Sequence, residues 1–252
     1  MDSRAAEIDR AGVVGAGRVG TALASALRAG GLGVDGPQGR GRPAPADVIV
    51  LCVPDAEIAA AAADARGAAP LVGHTSGATP LSALRGSGAE AFGLHPLQTV
   101  PEGATGDALA GAPCAIAGAS PRALAAARRI AETAGMVPFE IDDSRRPAYH
   151  AAASIASNFL VTLEHAAERV AGGAGLSPAE ARVLLAPLVR RTAENWAATG
   201  PERALTGPIA RGDDETVARQ REAVALAAPD LLPLWDAMAA ATGALARKGA
   251  PA

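Results

Sequence analysis

Val13-Val14-Gly15-Ala16-Gly17-Arg18-Val19-Gly20 runs directly into Thr21-Ala22-Leu23-Ala24-Ser25-Ala26-Leu27. A short apolar strand meets G-x-G-x-x-G and continues as a helix of small residues. Each glycine in that spacing has its own physical duty. The first permits a tight turn, the second lets backbone approach a pyrophosphate, and the third lets the helix pack on the strand. The helix N-terminus then offers free N–H groups and the positive end of a dipole. With 29 glycines in the chain, the spacing alone says little. Its position between an apolar run and a helical run marks Gly15, Ala16, Gly17, Arg18, Val19 and Gly20 as a dinucleotide fingerprint.

Outward from this stretch, strand-like and helix-like segments alternate. The expected strands are Gly12–Val14, Leu32–Val34, Val48–Val53, Leu71–His74, Ala91–Leu94, Cys114–Ala117 and Val137–Ile141. Most are apolar throughout, as strands covered on both faces of a parallel sheet must be. Helical runs separate them, such as Arg122–Ala134 behind the Ser120-Pro121 cap. The pattern predicts an α/β fold with a doubly wound, Rossmann-like parallel sheet. After Asp142-Asp143-Ser144 the strand signals stop. One long helix is expected over 147–172 and a second from Pro178 to about Ala198, opened by a Ser177/Glu180 capping box. Further helices are expected near 214–227 and 230–247. The expected organisation is a nucleotide-binding domain over 9–143 and an all-helical C-terminal domain over 144–252.

Bulk properties exclude several classes. A net charge of −3 without a basic block argues against nucleic-acid binding. No apolar run is long enough to cross a membrane. Met1-Asp2-Ser3-Arg4 lacks the basic-then-apolar pattern of a signal peptide, so a cytoplasmic location is expected. Cys52 and Cys114 fall in apolar strands and read as buried free thiols rather than a disulfide or metal pair. Four scattered histidines make no zinc cluster, and no metal is expected. The only lysine is Lys248. Arginine stays protonated and donates protons poorly, so acid chemistry falls to His, a carboxylic acid, Tyr, a hydroxyl or water.

Candidate site residues gather where the expected strands end, which is where ligands sit in doubly wound folds. Asp35 has the spacing of an acid that holds the ribose 2′-OH of NAD. If the second strand instead continues through Gly36-Pro37-Gln38, Arg40 and Arg42 stand at its end and would meet the 2′-phosphate of NADP. The second reading is preferred. Val53 and Pro54 would edge the cofactor crevice, and Asp55 either caps the next helix or touches ligand. His74-Thr75-Ser76-Gly77 and Gly93-Leu94-His95-Pro96-Leu97-Gln98-Thr99 each place a histidine and hydroxyls at a strand end, with His74 and Ser76 assigned to the cofactor side. His150, Ser154, Ser157 and Asn158 recur at helical spacing, lining either a cleft or a helix–helix interface. In the loop 205–213, Arg211 could clamp a substrate carboxylate beside Thr206, or pair with an acid while Asp213 caps a helix.

With these residues together, the chain resembles bacterial Rossmann-like proteins whose C-terminal half is a domain of unknown function. The likeness is carried by the fingerprint, Cys52-Val53-Pro54-Asp55, His74-Thr75-Ser76-Gly77, Gly93 through Thr99, Tyr149-His150 through Ser157-Asn158, and Leu205 through Asp213. It places the chain among the 6-phosphogluconate-dehydrogenase-like reductases, with ketopantoate reductases and pyrroline-5-carboxylate reductases. The resemblance implies a helical domain that closes over a nicotinamide and pairs as a homodimer. The chain departs from ketopantoate reductases in one respect. Their lysine on the first helix of the second domain is replaced here by Ser154, while Asn158 fits their asparagine.

The function expected is therefore an NADPH-dependent reductase of a small 2-keto acid, with ketopantoate first and a pyrroline-5-carboxylate-like imine second. It would act at the cleft between its domains. His150 is the first candidate for proton donor and His95 the second. Asn158 and Ser154 would polarise the carbonyl, and Thr206 and Arg211 would hold the substrate. A binding protein that responds to NADP without chemistry is the competing class.

Overall fold

The computed structural model of the protein describes residues 8–249, so Met1-Asp2-Ser3-Arg4 lies outside the described residues. The chain divides into two compact units, with the division between Ser157 and Asn158.

The first unit is an α/β sheet domain. Its strands are β1 (Arg10–Val14), β2 (Gly33–Gln38), β3 (Val48–Leu51), β4 (Leu71–His74), β5 (Glu90–Pro96), β6 (Pro113–Gly118) and β7 (Val137–Glu140). They form one sheet in the order β2-β1-β3-β4-β5-β6-β7. The doubly wound, Rossmann-like class read from the alternation is the one observed. Helices α1 (Arg18–Ala29), α2 (Ile58–Asp64) and α3 (Pro121–Thr133) connect strands, and α4 (Arg146–Ser154) follows the last one.

Two apolar layers hold the sheet. On one face Leu23, Leu27, Phe92, Leu94, Ile116 and Ile130 pack together, joining α1 and α3 to the strands. On the other, Ile49, Leu51, Ile58, Val72 and Leu84 join α2 to β3 and β4. Burying each such side chain contributes about 1.5–3 kcal/mol. Gly73 lets the Phe92 ring lie flat on β4, since a side chain at 73 would occupy the ring's place.

One strand takes the longer of its two expected extents, and one reverses direction. β2 runs to Gln38, four residues past Val34. It is an edge strand, so Pro37 removes no N–H that a neighbour needs. β6 is antiparallel to β5, with Leu94 opposite Ile116. A parallel return needs a crossover of a dozen or more residues, usually a helix. The segment between β5 and β6 has only a 3₁₀ turn, Gly106–Leu109, so the chain turns back instead.

The second unit is helical: α5 (Leu160–Ala171), α6 (Pro178–Thr199), α7 (Pro201–Ala204), α8 (Pro208–Arg211), α9 (Asp214–Ala227) and α10 (Leu232–Gly249). Ser177 and Glu180 form the expected capping box on α6. Asp213 caps α9 by accepting from the Thr216 N–H at 3.1 Å. The helix expected to run unbroken over 147–172 instead carries a π turn, Ile155–Phe159. Its hydrogen bonds reach five residues on rather than four. The 3.6-residue phase that put His150, Ser154 and Asn158 on one stripe does not continue through it. Among the described residues no helix is long and apolar enough to cross a membrane.

Candidate functional site

The fingerprint glycines behave differently from one another. Gly15 has φ +106°, and a side chain there would collide with the Cys52 carbonyl. A side chain at Gly20 would strike the Gly15 carbonyl, so α1 lies directly against the turn. Gly17, by contrast, would place a Cβ in open space with nothing within 4 Å. The protein's own packing explains Gly15 and Gly20 but not Gly17. Gly17 also precedes α1 without any side-chain cap, leaving the N–H groups of the first turn available. The space beside it is a cavity of about 510 Å³ lined by Ala16, Gly17, Arg18, Thr21 and Ser25, with residues 102–105 opposite. Val19 packs against the apolar core instead.

At the end of β2, Asp35 is occupied. It lies within the strand and pairs with Arg10 at 3.1 Å. Arg40 stands just past the strand, is 83% exposed in its side chain, and pairs with Glu57. Arg42 reaches the Arg66 carbonyl at 3.4 Å. After β3, Val53 packs on the α2-side core and Pro54 precedes a 3₁₀ turn. Asp55 caps nothing with its side chain; its Oδ2 accepts from the Ser76 hydroxyl at 2.9 Å.

The ends of β4 and β5 meet the head of α4 in a polar cluster. The fully buried His74 accepts at Nδ1 from the Ser76 N–H at 3.2 Å. Ser76 Oγ accepts from the N–H groups of Ala78 and Thr79 at 3.2 and 2.9 Å, which tightens the loop. His95 Nδ1 and the Tyr149 hydroxyl are 2.8 Å apart. The rings of His95 and His150 meet edge to face with centroids 5.7 Å apart. Gly77 sits between them: a Cβ there would be 2.6 Å from His150 Nδ1 and 2.9 Å from His95 Nε2. Arg146 is also present, fully buried and ion-paired to Asp143 at 2.7 Å.

Burial, with the charges of His150 and Arg146, lowers the His95 pKa to about 4. Burial and Arg146 lower His74 to about 4 as well, against the pull of Asp143 and Asp55. Burial pushes Tyr149 up to about 12. At neutral pH the cluster thus holds two neutral imidazoles and a protonated phenol. Cys52 and Cys114 are free thiols, both pushed up to about 12 by burial, so neither is a thiolate nucleophile. Among the described residues no group of three or more His, Cys, Asp or Glu side chains is placed to hold a metal ion.

A family model described as "Domain of unknown function (DUF2520)" matches residues 112–242, just over half of the chain. The chain belongs to the DUF2520 family. No curated protein matches it. Solved structures do. A Bacteroides fragilis protein provisionally described as an NADP oxidoreductase is 21% identical, with a TM-score of 0.78 over 94% of this chain and 98% of that one. The Thermotoga maritima protein TM1727 is 25% identical, with a TM-score of 0.73 over 94% and 98%. A Plasmodium falciparum pyrroline carboxylate reductase with NADP bound is 13% identical, with a TM-score of 0.59 over 96% and 99%. At 21% and 13% identity the likeness is one of fold.

In this DUF2520 protein, His74, Ser76, His95 and His150 come together in one cluster. Ser154 closes α4 and is half-buried. Asn158, Thr206 and Arg211 belong to the second unit. There Asn158 and Thr206 are exposed, and Arg211 lines a cavity of about 510 Å³ with Asp214 and Arg247. Sequence reading missed Arg146 and Asp143, and quoted Tyr149 without giving it a role. Arginine supplies nearly all the cations here, so nothing marks one of them as buried.

The histidines make stability depend on pH. Each binds its proton more weakly folded than unfolded, so the unfolded chain gains protons first as the pH falls. Their contribution is complete above 6.5 and is lost as the pH drops toward 4. For the fully buried His74 the loss is on the order of 3 kcal/mol, at about 1.4 kcal/mol per pKa unit. Urea unfolding followed from pH 7.5 to 4.5 is expected to show this decline, and His74→Asn, which keeps an acceptor for Ser76, to flatten it. Equal slopes in both proteins would show that His74 does not titrate in this way.

Proposed function

We propose that this protein is an NADPH-dependent reductase of a small carboxylate. The observation that carries the reading is Gly17. No intramolecular contact requires a glycine there, yet it opens onto the cavity that Ala16, Arg18 and Thr21 share with the start of α1. Backbone N–H groups and a helix dipole facing such a space suit a pyrophosphate. The solved structures of like fold whose names include NADP support the same cofactor. Preference for NADP over NAD rests on β2: Asp35 is held by Arg10, while Arg40 is exposed at the strand end and free to exchange Glu57 for a 2′-phosphate.

NADPH supplies a hydride when bound. The chain must then place the acceptor carbon and protonate the atom that gains charge. We assign the proton to His95. Tyr149 stays a phenol, and its O–H donates to His95 Nδ1, which leaves the imidazole proton on Nε2. An alkoxide near Nε2 takes that proton as the Tyr149 proton shifts to Nδ1; the Nδ1 proton then returns to the phenolate while solvent reprotonates Nε2, which restores the starting tautomer. His150, the first candidate from sequence, has its Nδ1 buried against Gly77 without a partner, and serves as a wall of the site. A 2-keto acid, with ketopantoate foremost, uses this pair fully. An imine is the second reading, favoured by neutral histidines and by a lysine only at Lys248, since an imine that arrives protonated needs no donor.

We further propose that the protein works as a homodimer in the cytoplasm. In the second unit Val183, Leu184, Leu188, Trp196 and Leu226 are exposed, and among the described residues only Ala181, Val224 and Ala228 are fully buried. A unit that buries so little needs a partner surface. A second copy supplies the same apolar side chains through a two-fold axis.

Three experiments test these readings. Purified protein given ketopantoate is expected to oxidise NADPH and not NADH, and Arg40→Ala to raise the KM for NADPH about tenfold, the worth of one charge-assisted hydrogen bond. NADPH binding without oxidation, on ketopantoate or pyrroline-5-carboxylate alike, would move the protein to the binding-only class. His95→Gln is expected to lower kcat by about 10²–10⁴-fold with NADPH affinity unchanged; the same loss in His150→Gln alone would return the donor role to His150. Sedimentation equilibrium is expected to give twice the chain mass, and Leu184→Asp with Leu188→Asp to give the single mass. A wild-type monomer at micromolar concentration would remove the dimer from the proposal.

A further inference from the structure

Arg146 opens α4 with its side chain fully buried, beside an Asp143 side chain that is 35% exposed. A buried guanidinium is expensive unless all its donors are met. Here they are not. Nε donates to Asp143 Oδ1 at 2.7 Å and Nη1 to the Ser76 carbonyl at 3.0 Å, while Nη2 has no partner. Packing alone gives no return for that cost.

The place of the guanidinium on the sheet is informative. A Cβ at Gly93 would collide with Nη2, so Arg146 fills the space of the side chain that β5 lacks there. Gly93 is the register partner of His74 on β4 and lies two residues before His95 on β5. Side chains at paired positions, and at i and i+2, share a sheet face. The guanidinium therefore occupies the position between His74 and His95 on one face.

Its bonds run to the other parts of the cluster. Ser76 lies in the loop after β4, and Asp143 accepts from the Leu81 N–H at 3.1 Å with each carboxylate oxygen. Both ends of that loop are thus tied to the head of α4. Tyr149 and His150 are three and four residues past Arg146, on the same helix face one turn later. The depth at which Arg146 seats α4 sets where the Tyr149 hydroxyl meets His95.

We propose that Arg146, seated over Gly93, is the positioning residue for the His95–Tyr149 proton donor. It uses one buried guanidinium to hold the 76–81 loop and the first turn of α4 in register with β5. The inference rests on the His95–Tyr149 reading under Proposed function. The charged and titratable groups of the cluster are Asp143, which pairs with Arg146, Asp55, His74 and His95 at the strand ends, and His150 and Tyr149 on α4.

Two measurements test it, one of which needs no turnover. In ¹⁵N spectra of the imidazoles, assigned with His95→Gln, wild-type His95 is expected as a single tautomer with the proton on Nε2. Tyr149→Phe, which removes only the hydroxyl, gives the reference for a released His95. Arg146→Met and Gly93→Ala are both expected to show the released, mixed-tautomer signature, with circular dichroism showing a folded chain. Arg146→Lys keeps a cation and serves in place of Arg146→Met should that variant not fold. In turnover, Arg146→Lys is expected to lower kcat on the order of 10²-fold, as a displaced catalytic group does, with the KM for NADPH within twofold. Arg146→Met is expected in addition to move the acidic limb of the kcat–pH profile upward, because one of the charges that, with burial, hold His95 down is gone. Wild-type tautomer in the folded variants would overturn the proposal. A released tautomer with unchanged kcat would keep Arg146 as the positioning residue and overturn the donor reading instead.

Discussion

Parallel pairing is the constraint on which the rest of this structure depends. β1 pairs in parallel with β2 and β3, β3 with β4, and β4 with β5, so five carboxyl ends emerge along one edge of the sheet. The fingerprint turn, Arg40, Val53 to Asp55, His74 to Gly77 and His95 all follow from that single fact. Each sits where its strand stops, and none needs a special device to reach the edge. The reversal at β6 does not disturb this, because it begins where β5 ends. It brings Cys114 opposite Pro96, where the thiol is buried and meets the His95 backbone.

The edge carries two kinds of glycine, those filled by the chain's own packing and those beside open space. Gly15, Gly20, Gly73 and Gly93 are each filled by another part of the same chain. Gly17 is filled by nothing. It opens instead onto the cavity lined by Ala16, Arg18 and Thr21. That room adjoins a helix N-terminus, where an anion is the natural occupant.

The polar cluster at β4, β5 and α4 is costly for its size. It holds a buried arginine, a fully buried histidine and a second histidine pushed to its neutral form. The two apolar layers on either side of the sheet supply the stability that such a cluster draws on. Perturbed groups gathered at one sheet edge are what a proton-handling site requires.

The fingerprint, the alternation of strands and helices, the helical second half and the capping box at Ser177 were all legible in the amino-acid sequence, because each depends on residues near one another along the chain. The strand-end histidines were legible as candidates for the same reason. What each would touch was not. Whether β2 ended at Val34 or Gln38 depended on its being an edge strand, which no local pattern states. Asp55 bonding Ser76, Tyr149 meeting His95, and Arg146 filling the space over Gly93 join residues 21, 54 and 53 positions apart. Those contacts exist only once the strands are in register and α4 is seated. The sequence by itself determined the strands of the sheet and the nucleotide-type turn, since local sterics and periodicity set both, but not the reversal of β6. The tertiary structure alone decided which of its many arginines is buried, which histidine has a phenol beside it and which glycine is left open, because those are properties of packed surfaces rather than of neighbours in the chain.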